Sequence, residues 1–421
     1  MVPMTSFRAN VATLAGANAV AQGTTLLTLP ILSRVYAPSD FGLLAAYLAL
    51  AALLAVLATL RYELAIPLAT DDDDAEALSQ ATRRIVLIAS ALTLVVTLAV
   101  AAAHREGLIG LDCPVWFLTL GLFVLLAGEA SILNYGFTRT ASFRAQGISR
   151  IVQAITTAAA QIILSTTLLA SAGGLILGAL IGQLSCVVAL RISRDQRGSR
   201  TAPSTASRRS VLRRYRRMPL LNGPNALADA ARTNGINLLI GNHSYDTLGQ
   251  FAMAMRVVQA PVGILASAIA QVSYQRMATA AAGELRGMVL QSVQRALAVG
   301  AIPFAVLFLV APTLVPAVLG PSWTDAGTYA QILTPWLYLN LATSPISMVY
   351  LVTERQGTLL TFSLVYMVAP MVCLVLLGTN LTHAVVAMSA VMTVLLVFFV
   401  FLAVSVAAAH DRSSDPVVPA T

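Results

Sequence analysis

The chain contains no lysine, so all 26 of its basic residues are arginines, and charged residues make up only 10% of its 421 residues. Soluble domains carry about 25% charged residues. Together with a hydrophobic fraction of 57% and a mean hydropathy of +0.79, this shortage of charge excludes a water-soluble core. The sequence therefore predicts a protein that passes many times through a lipid bilayer.

Cysteines and catalytic motifs are scarce as well. The three cysteines, Cys113, Cys186 and Cys373, have no paired spacing, which excludes a disulfide framework or a cysteine metal site. The chain has no phosphate-binding loop, GxSxG or HExxH motif, and no long polar segment for a soluble catalytic domain. We therefore predict a protein that is not an enzyme and that uses no cofactor and no metal. Its net charge of +8 lies beside apolar runs, so we expect contact with the lipid bilayer and none with nucleic acid.

About twelve apolar windows are long enough to cross a bilayer, which takes about 20 helical residues. Six lie in the first half, near 11–32, 41–60, 84–103, 114–134, 148–170 and 174–191. Six more lie in the second half, near 222–241, 249–273, 290–311, 325–351, 358–378 and 383–407. The predicted fold is an all-α polytopic membrane protein with two lobes of six transmembrane helices each.

The arginines predict the orientation of the chain. With the N-terminus in the cytoplasm, 22 of the 26 fall in cytoplasmic gaps, Arg139, Arg144 and Arg150 among them, and only Arg34 and Arg105 fall outside. This is the positive-inside bias, and it places both termini in the cytoplasm. Ten arginines lie between 191 and 217. We predict an N-terminal lobe at 1–192, a mobile basic linker on anionic lipid at 193–218, and a C-terminal lobe with a short cytoplasmic tail at 219–421.

The two halves also match weakly at an offset of 207 residues. Without a gap, this offset aligns 18–21, which begins with Asn18, with 225–228, which begins with Asn225. A repeat of six spans preserves orientation, so the lobes are predicted to be pseudo-symmetric parallel repeats related by an axis along the membrane normal.

Each half has a helix with one polar face. The spacing of Asn222, Asn225, Asp229 and Arg232 places all four on one side of the seventh span, and Asn18, Gln22 and Thr25 form the matching stripe on the first span. Polar faces within a membrane point to protein or to a water-filled cavity. The alternative is a local Asp229–Arg232 pair that only neutralises two charges, and both interpretations are compatible.

Arg256 heads a similar face of the eighth span with Gln259, and we expect Asp229 to be its partner. A cavity with Arg232, Arg256 and Asp229 has an excess of positive charge and favours an anion, because guanidinium binds phosphate through two parallel hydrogen bonds. Asp229 and Glu129 are candidates to carry a coupling ion. For Glu129, a carboxyl that reaches water or Arg139 is an equal alternative.

Two motifs near the N-terminus, PILSRVYAPSDFG at 30–42 and RYELAIPL at 61–68, resemble those of bacterial polysaccharide biosynthesis proteins of the O-antigen flippase type. These belong to the multidrug/oligosaccharidyl-lipid/polysaccharide exporter superfamily. The resemblance implies a V-shaped, two-lobed bundle with a central cationic cavity. It also implies that Arg34, Asp40, Arg61 and Glu63 lie at helix ends near the cavity or its gate.

The resulting hypothesis is a flippase in the bacterial cytoplasmic (inner) membrane. It would move an undecaprenyl-pyrophosphate-linked oligosaccharide to the outer leaflet for O-antigen, capsule or exopolysaccharide synthesis, with Arg232, Arg256 and Arg61 binding the pyrophosphate. A coupling cation (H⁺ or Na⁺) and other polysaccharide assembly proteins are the expected partners. The alternatives are a drug or cation exporter of the same superfamily, a membrane glycosyltransferase or polysaccharide polymerase, and a scaffold for the polysaccharide machinery.

Overall fold

The computed structural model describes residues 4–106, 115–166, 171–196, 208–259, 285–346, 349–353, 355–378 and 380–414. These residues form helices and connecting turns without a strand. Eight of the described helices are long and apolar enough to cross a membrane, and each of the twelve predicted windows overlaps a helix. The predicted class, an all-α multi-pass membrane protein, is confirmed.

The helices in the first half of the chain are α1 (Met4–Val35), α2 (Pro38–Thr59), α3 (Asp72–Arg105), α4 (Leu120–Arg139), α5 (Phe143–Ser165), α6 (Ala172–Asp195) and the short α7 (Arg208–Arg214). Two 3₁₀ segments, Tyr62–Leu68 and Val115–Thr119, precede α3 and α4. The second half has α8 (Arg217–His243), α9 (245–259), α10 (Leu285–Leu319), α11 (Thr324–Ile346), α12 (Val349–Val352), α13 (Gln356–Leu377) and α14 (Leu381–Ser414).

The helices divide into two compact units, Met1–Leu238 and Leu239–Thr421, and the division falls inside α8. The boundaries predicted for the two lobes, 1–192 and 219–421, stay a prediction. Part of the segment predicted to be a mobile linker is packed, however. The side chain of Val211 on α7 is buried in an apolar cluster with residues of α3 and the first 3₁₀ segment. Arg214 also pairs with Asp74 at 3.0 Å. The basic composition of this segment did not predict the packing of α7, because the packing depends on one valine and one ion pair.

The first unit is held together most closely between α5 and α6. Gly178 and Gly182, one turn apart on α6, face α5 at van der Waals contact, so that a side chain at either position would overlap Gln161 or Thr157. Small residues four apart let two membrane helices approach closely enough for polar side chains to bond across them. Such bonds are present here between Gln153 and Gln183 at 2.7 Å and between Thr156 and Ser185 at 2.6 Å.

Gly182→Ala is expected to lower the stability of the protein. The added Cβ would overlap the Thr157 hydroxyl oxygen, so α5 and α6 would have to separate. Overpacking of this kind costs about 1–3 kcal/mol. The measurement is the unfolding midpoint in detergent, with Gly136→Ala as the matched control, because nothing lies within 4 Å of a Cβ at Gly136. Equal midpoints for the two variants would contradict the prediction.

The second unit has its core where α10, α11, α12 and α14 meet. The buried side chains of this cluster include Val289, Ala342 and Phe399. At its edge Asp411, near the end of α14, accepts hydrogen bonds from the backbone amides of Leu285 and Arg286 at 3.1 and 2.9 Å. A carboxylate at a helix N-terminus is favourable because the first amides of a helix lack partners within it. Asp411 therefore fixes the last helix to the start of α10.

Candidate functional site

Helix α1 has two exposed faces of opposite character. Asn18, Gln22 and Thr25, spaced four and three apart, are exposed on one side. On the opposite side Val20, Leu27 and Ile31 are 51%, 79% and 52% exposed. Exposed aliphatic side chains are compatible with lipid, whereas exposed amides and hydroxyls need water or protein partners. Asn18, Gln22 and Thr25 are defined as the polar strip; the Thr25 hydroxyl donates to the backbone carbonyl of Ala21 at 3.1 Å, and the two amides are the groups of the strip that need water or protein partners.

An arginine from α5 joins the polar strip. A guanidinium N–H of Arg150 donates a hydrogen bond to the side-chain oxygen of Asn18, and both side chains are exposed. The two helices approach closely one residue away, where a Cβ on Gly147 would lie 2.9 Å from the Cβ of Ala17. The count of charges by side placed Arg150 in a cytoplasmic gap, at the edge of the predicted window 148–170, but it lies inside α5, which begins at Phe143.

The polar face predicted on α8 contains a local ion pair. Arg232 donates to Asp229 at 2.7 Å, with the Arg232 side chain 35% and the Asp229 side chain 68% exposed. The structure therefore contains the local pair of the alternative interpretation, in which Asp229 binds an arginine of its own helix. The side chains of Asn222 and Asn225 lie outside the described residues.

Arg256 and Gln259 lie on α9, in the second unit. Arg256 is half-buried and Gln259 is exposed at the last described position of that helix. The expected continuation of this face falls on residues 260–284, outside the described part of the chain. Arg256 and Gln259 therefore remain predicted cavity residues on the grounds given by the sequence.

The motif residues Arg61 and Glu63 form a bend between α2 and α3. Leu60 and Arg61 both adopt the left-handed conformation, with φ of 47° and 60°, which costs non-glycine residues about 1–3 kcal/mol each. Glu63 is 1% exposed, and its Oε1 lies 3.6 Å from a terminal guanidinium nitrogen of Arg61. The other carboxylate oxygen of Glu63 is buried without a hydrogen-bond partner among the described residues. Burial raises the pKa of Glu63 above that of a free glutamate, although Thr59 and Arg61 lower it in part.

Helix α7 contacts the same bend. The hydroxyl of Tyr62, between Arg61 and Glu63, donates to the backbone carbonyl of Leu212 at 3.3 Å. Because α8 begins three residues after α7 ends, the helix that carries Arg232 starts beside the Arg61–Glu63 bend.

Glu129 lies in a cluster with two arginines. Its carboxylate accepts hydrogen bonds from Arg83 at 2.7 and 2.9 Å and from Arg191 at 3.1 Å. Glu129 is 5% exposed, and the three residues join α3, α4 and α6. Its partners are therefore Arg83 and Arg191 and not Arg139, which binds Asp72 at 2.9 Å instead. A carboxylate with three ionic hydrogen bonds is built to hold helices together.

The motif residues Arg34 and Asp40 are separated by the turn between α1 and α2. Arg34 is exposed in the last turn of α1, where a cation is favourable. Asp40 accepts from the backbone amide of Ala37 at 3.0 Å, at the start of α2, and from that of Ala172 at 2.8 Å, at the start of α6. Both oxygens of Asp40 thus cap helices, so its position in the motif has a structural explanation.

The sequence did not predict the contact of Arg150 with Asn18 or the pairing of the partly buried Arg83 with Glu129, because charge counting by side treats all arginines near a helix end alike. One signal was available for Arg150. Gln146, Ser149 and Gln153 continue a polar pattern on both sides of it, which places the start of α5 before 148.

Comparisons with known proteins agree with this architecture. The profile of a family described as "Polysaccharide biosynthesis protein" matches residues 31–328. A search of the curated proteins finds no match. Among solved structures, the chain is similar to an inward-facing multidrug resistance MATE family transporter of the MOP superfamily, with 13% identity, a TM-score of 0.66 and 96% of each chain covered.

Two further structures share the fold. One is the MATE multidrug transporter DinF-BH, with 15% identity, a TM-score of 0.59 and 95% of each chain covered. The other is a MOP superfamily transporter from Pyrococcus furiosus, described as having a binding pocket of reverse polarity that suggests a different function. It has 14% identity and a TM-score of 0.58, with 96% of this chain and 95% of that chain covered. At these identities the likeness establishes the fold alone.

Proposed function

The chain belongs to the polysaccharide biosynthesis protein family, and from that premise we propose that it is a flippase for an undecaprenyl-pyrophosphate-linked oligosaccharide in the bacterial cytoplasmic membrane. The observation that carries the proposal is the exposed polar strip of α1 with an arginine beside it, on a membrane helix whose opposite face is apolar. Such a surface suits a polar, anionic headgroup.

In the proposed mechanism the headgroup and the lipid tail are separated. Arginines, with Arg232, Arg256 and Arg61 as the candidates, bind the pyrophosphate, because guanidinium keeps its charge and offers paired donors to phosphate oxygens. The amides of Asn18, Gln22 and Asn225 contact the sugars, and the prenyl tail stays in lipid. Rocking of one half of the chain against the other alternates access between the two leaflets. The helix ends that carry most of the arginines face the cytoplasm.

We propose H⁺ as the coupling ion and Glu63 as the carboxyl that carries it. The free energy of a charged headgroup changes by about 2.3 kcal/mol per charge per 100 mV across a membrane potential, so its transport is sensitive to the potential and can be coupled to the movement of a cation. Asp229 is mostly exposed and paired with Arg232, and Glu129 would have to break three hydrogen bonds with arginines. Glu63 is buried, one of its oxygens has no hydrogen-bond partner among the described residues, and burial raises its pKa.

The test is a flipping assay in inverted membrane vesicles with Arg232→Ala. We expect the initial rate to fall to about one tenth or less, since loss of one charge-assisted hydrogen bond costs about 1.5–3 kcal/mol. Asp229→Asn removes the partner of Arg232 and keeps the guanidinium, so it should retain most of the rate. Arg412→Ala, an exposed arginine near the end of α14, is the matched control. Wild-type rates for Arg232→Ala and for the double variant with Arg256→Ala would remove the arginines from the substrate site.

A second candidate function follows from the fold, which this chain shares with multidrug transporters. A drug exporter for cations would accumulate a lipophilic cationic dye in inverted vesicles. A lipid-linked oligosaccharide flippase would leave the dye distribution unchanged, because an exposed arginine on the polar strip repels cations.

A further inference from the structure

Arg150 has an unusual position for an arginine in a membrane helix. It is the eighth residue of α5, so it lies about 10 Å along the helix from its first residue at 1.5 Å per residue. It therefore lies beyond the loop and within a helix that is long and apolar enough to cross a membrane.

The side chain of Arg150 does not belong to the lipid-compatible face of α5. Ile148 and Ile155, seven residues apart, lie on the same face and are 45% and 50% exposed. Arg150 follows Ile148 by two residues, a rotation of about 200°. The exposed side chain of Arg150 therefore lies on the opposite side of the helix, toward the polar strip of α1, and contacts Asn18 there.

The charge of Arg150 is not balanced by a carboxylate among the described residues. In the same unit, Arg83, Arg139, Arg191, Arg194, Arg214 and Arg232 each lie within 4 Å of an aspartate or glutamate oxygen. Arg150 instead donates to the neutral amide of Asn18. A guanidinium has five N–H groups, so one bond to Asn18 orients the group and leaves a pair of donors for a ligand.

We propose that Arg150, oriented by Asn18, binds the phosphate group of the substrate on the first unit. This inference rests on the proposed function and adds a subsite to it. The phosphate approaches at the level of the α5 start, which is the arginine-rich end of the unit, and the adjacent Gln22 and Thr25 extend the polar surface away from that end. Arg150 is then a charged contact on the polar-strip side for a headgroup that enters from that side of the membrane.

The experiment measures binding of farnesyl pyrophosphate, a short prenyl pyrophosphate, to the purified full-length protein in detergent by calorimetric titration. We expect Arg150→Ala to bind about tenfold more weakly, the loss of one charge-assisted contact. Arg150→Lys should fall between the two, because lysine keeps the charge and loses the paired geometry. Arg144→Ala is the matched control, because Arg144 is an exposed arginine on the same helix that lies about 120° around the axis from Arg150.

Asn18→Asp provides a second variant that leaves Arg150 in place. The new carboxylate would pair with the guanidinium and neutralise it, so we expect a similar loss of binding with an unchanged unfolding midpoint, because Asn18 is exposed. If the wild type binds the pyrophosphate and both Arg150→Ala and Asn18→Asp bind it equally well, the Arg150 inference is wrong and the proposed function stands. If the wild type does not bind farnesyl pyrophosphate more tightly than farnesol, the proposed function fails and this inference fails with it.

Discussion

Glu129→Ala is expected to lower the free energy of unfolding by about 3 kcal/mol, the lower end of the range for breaking a buried ion pair. The carboxylate is the shared acceptor of Arg83 and Arg191, and its removal leaves two guanidinium groups close together without the acceptor that joins them. The lower end applies because the side chains of Arg83 and Arg191 are 30% and 58% exposed and keep part of their hydration.

Two variants separate the charge of Glu129 from its hydrogen bonds. Glu129→Gln keeps an acceptor oxygen, so its loss should be smaller than that of Glu129→Ala. Asp72→Ala removes another carboxylate that pairs with an arginine, but the Asp72 side chain is 98% exposed, and such pairs contribute about 1 kcal/mol or less. The measurement is the unfolding midpoint in detergent. Equal losses for Glu129→Ala and Asp72→Ala would show that the Glu129 cluster is not a buried anchor.

The positions of the helices could be predicted from the sequence because they depend on local signals. An apolar run of about 20 residues must form a helix in a bilayer, whatever lies beside it. Helix starts were less predictable. α3 begins at Asp72, while the apolar window begins near 84, because its first turns are amphipathic and bury Ala75 and Leu78 beneath charged neighbours.

The roles of individual charges could not be predicted, because they depend on contacts between distant parts of the chain. Arg83 meets Glu129 across 46 residues, and Arg150 meets Asn18 across 132. By sequence position alone both arginines look like orientation signals. Their local surroundings differ only after the helices pack, when one guanidinium faces a buried carboxylate and the other an exposed amide.

Glu63→Gln is expected to change both the stability and the coupling of the protein. Because burial raises the pKa of Glu63, the folded state holds this proton more tightly than the unfolded chain does. Stability from the group is therefore fully present below the ordinary glutamate pKa of about 4.3, and it is lost as the pH rises through the folded value. Above its folded pKa the wild type contains a buried carboxylate that glutamine lacks, so Glu63→Gln should unfold at a higher temperature there, and the difference should shrink as the pH falls through that pKa.

The same substitution, which should raise stability, is expected to impair the coupling of transport to H⁺. A permanently neutral side chain at position 63 cannot bind and release H⁺, so we expect flipping in Glu63→Gln vesicles to lose its dependence on an imposed pH gradient. The distance of 3.6 Å to Arg61 makes the pair sensitive to the protonation state, because a neutral Glu63 releases Arg61 for a phosphate. Glu106→Gln, at an exposed carboxyl that follows α3, is the control and should keep the gradient response. If Glu63→Gln responds to the gradient as the wild type does, Glu63 is excluded as the carrier. If the unfolding midpoints of Glu63→Gln and of the wild type depend on pH in the same way, the raised pKa on which the assignment depends is contradicted.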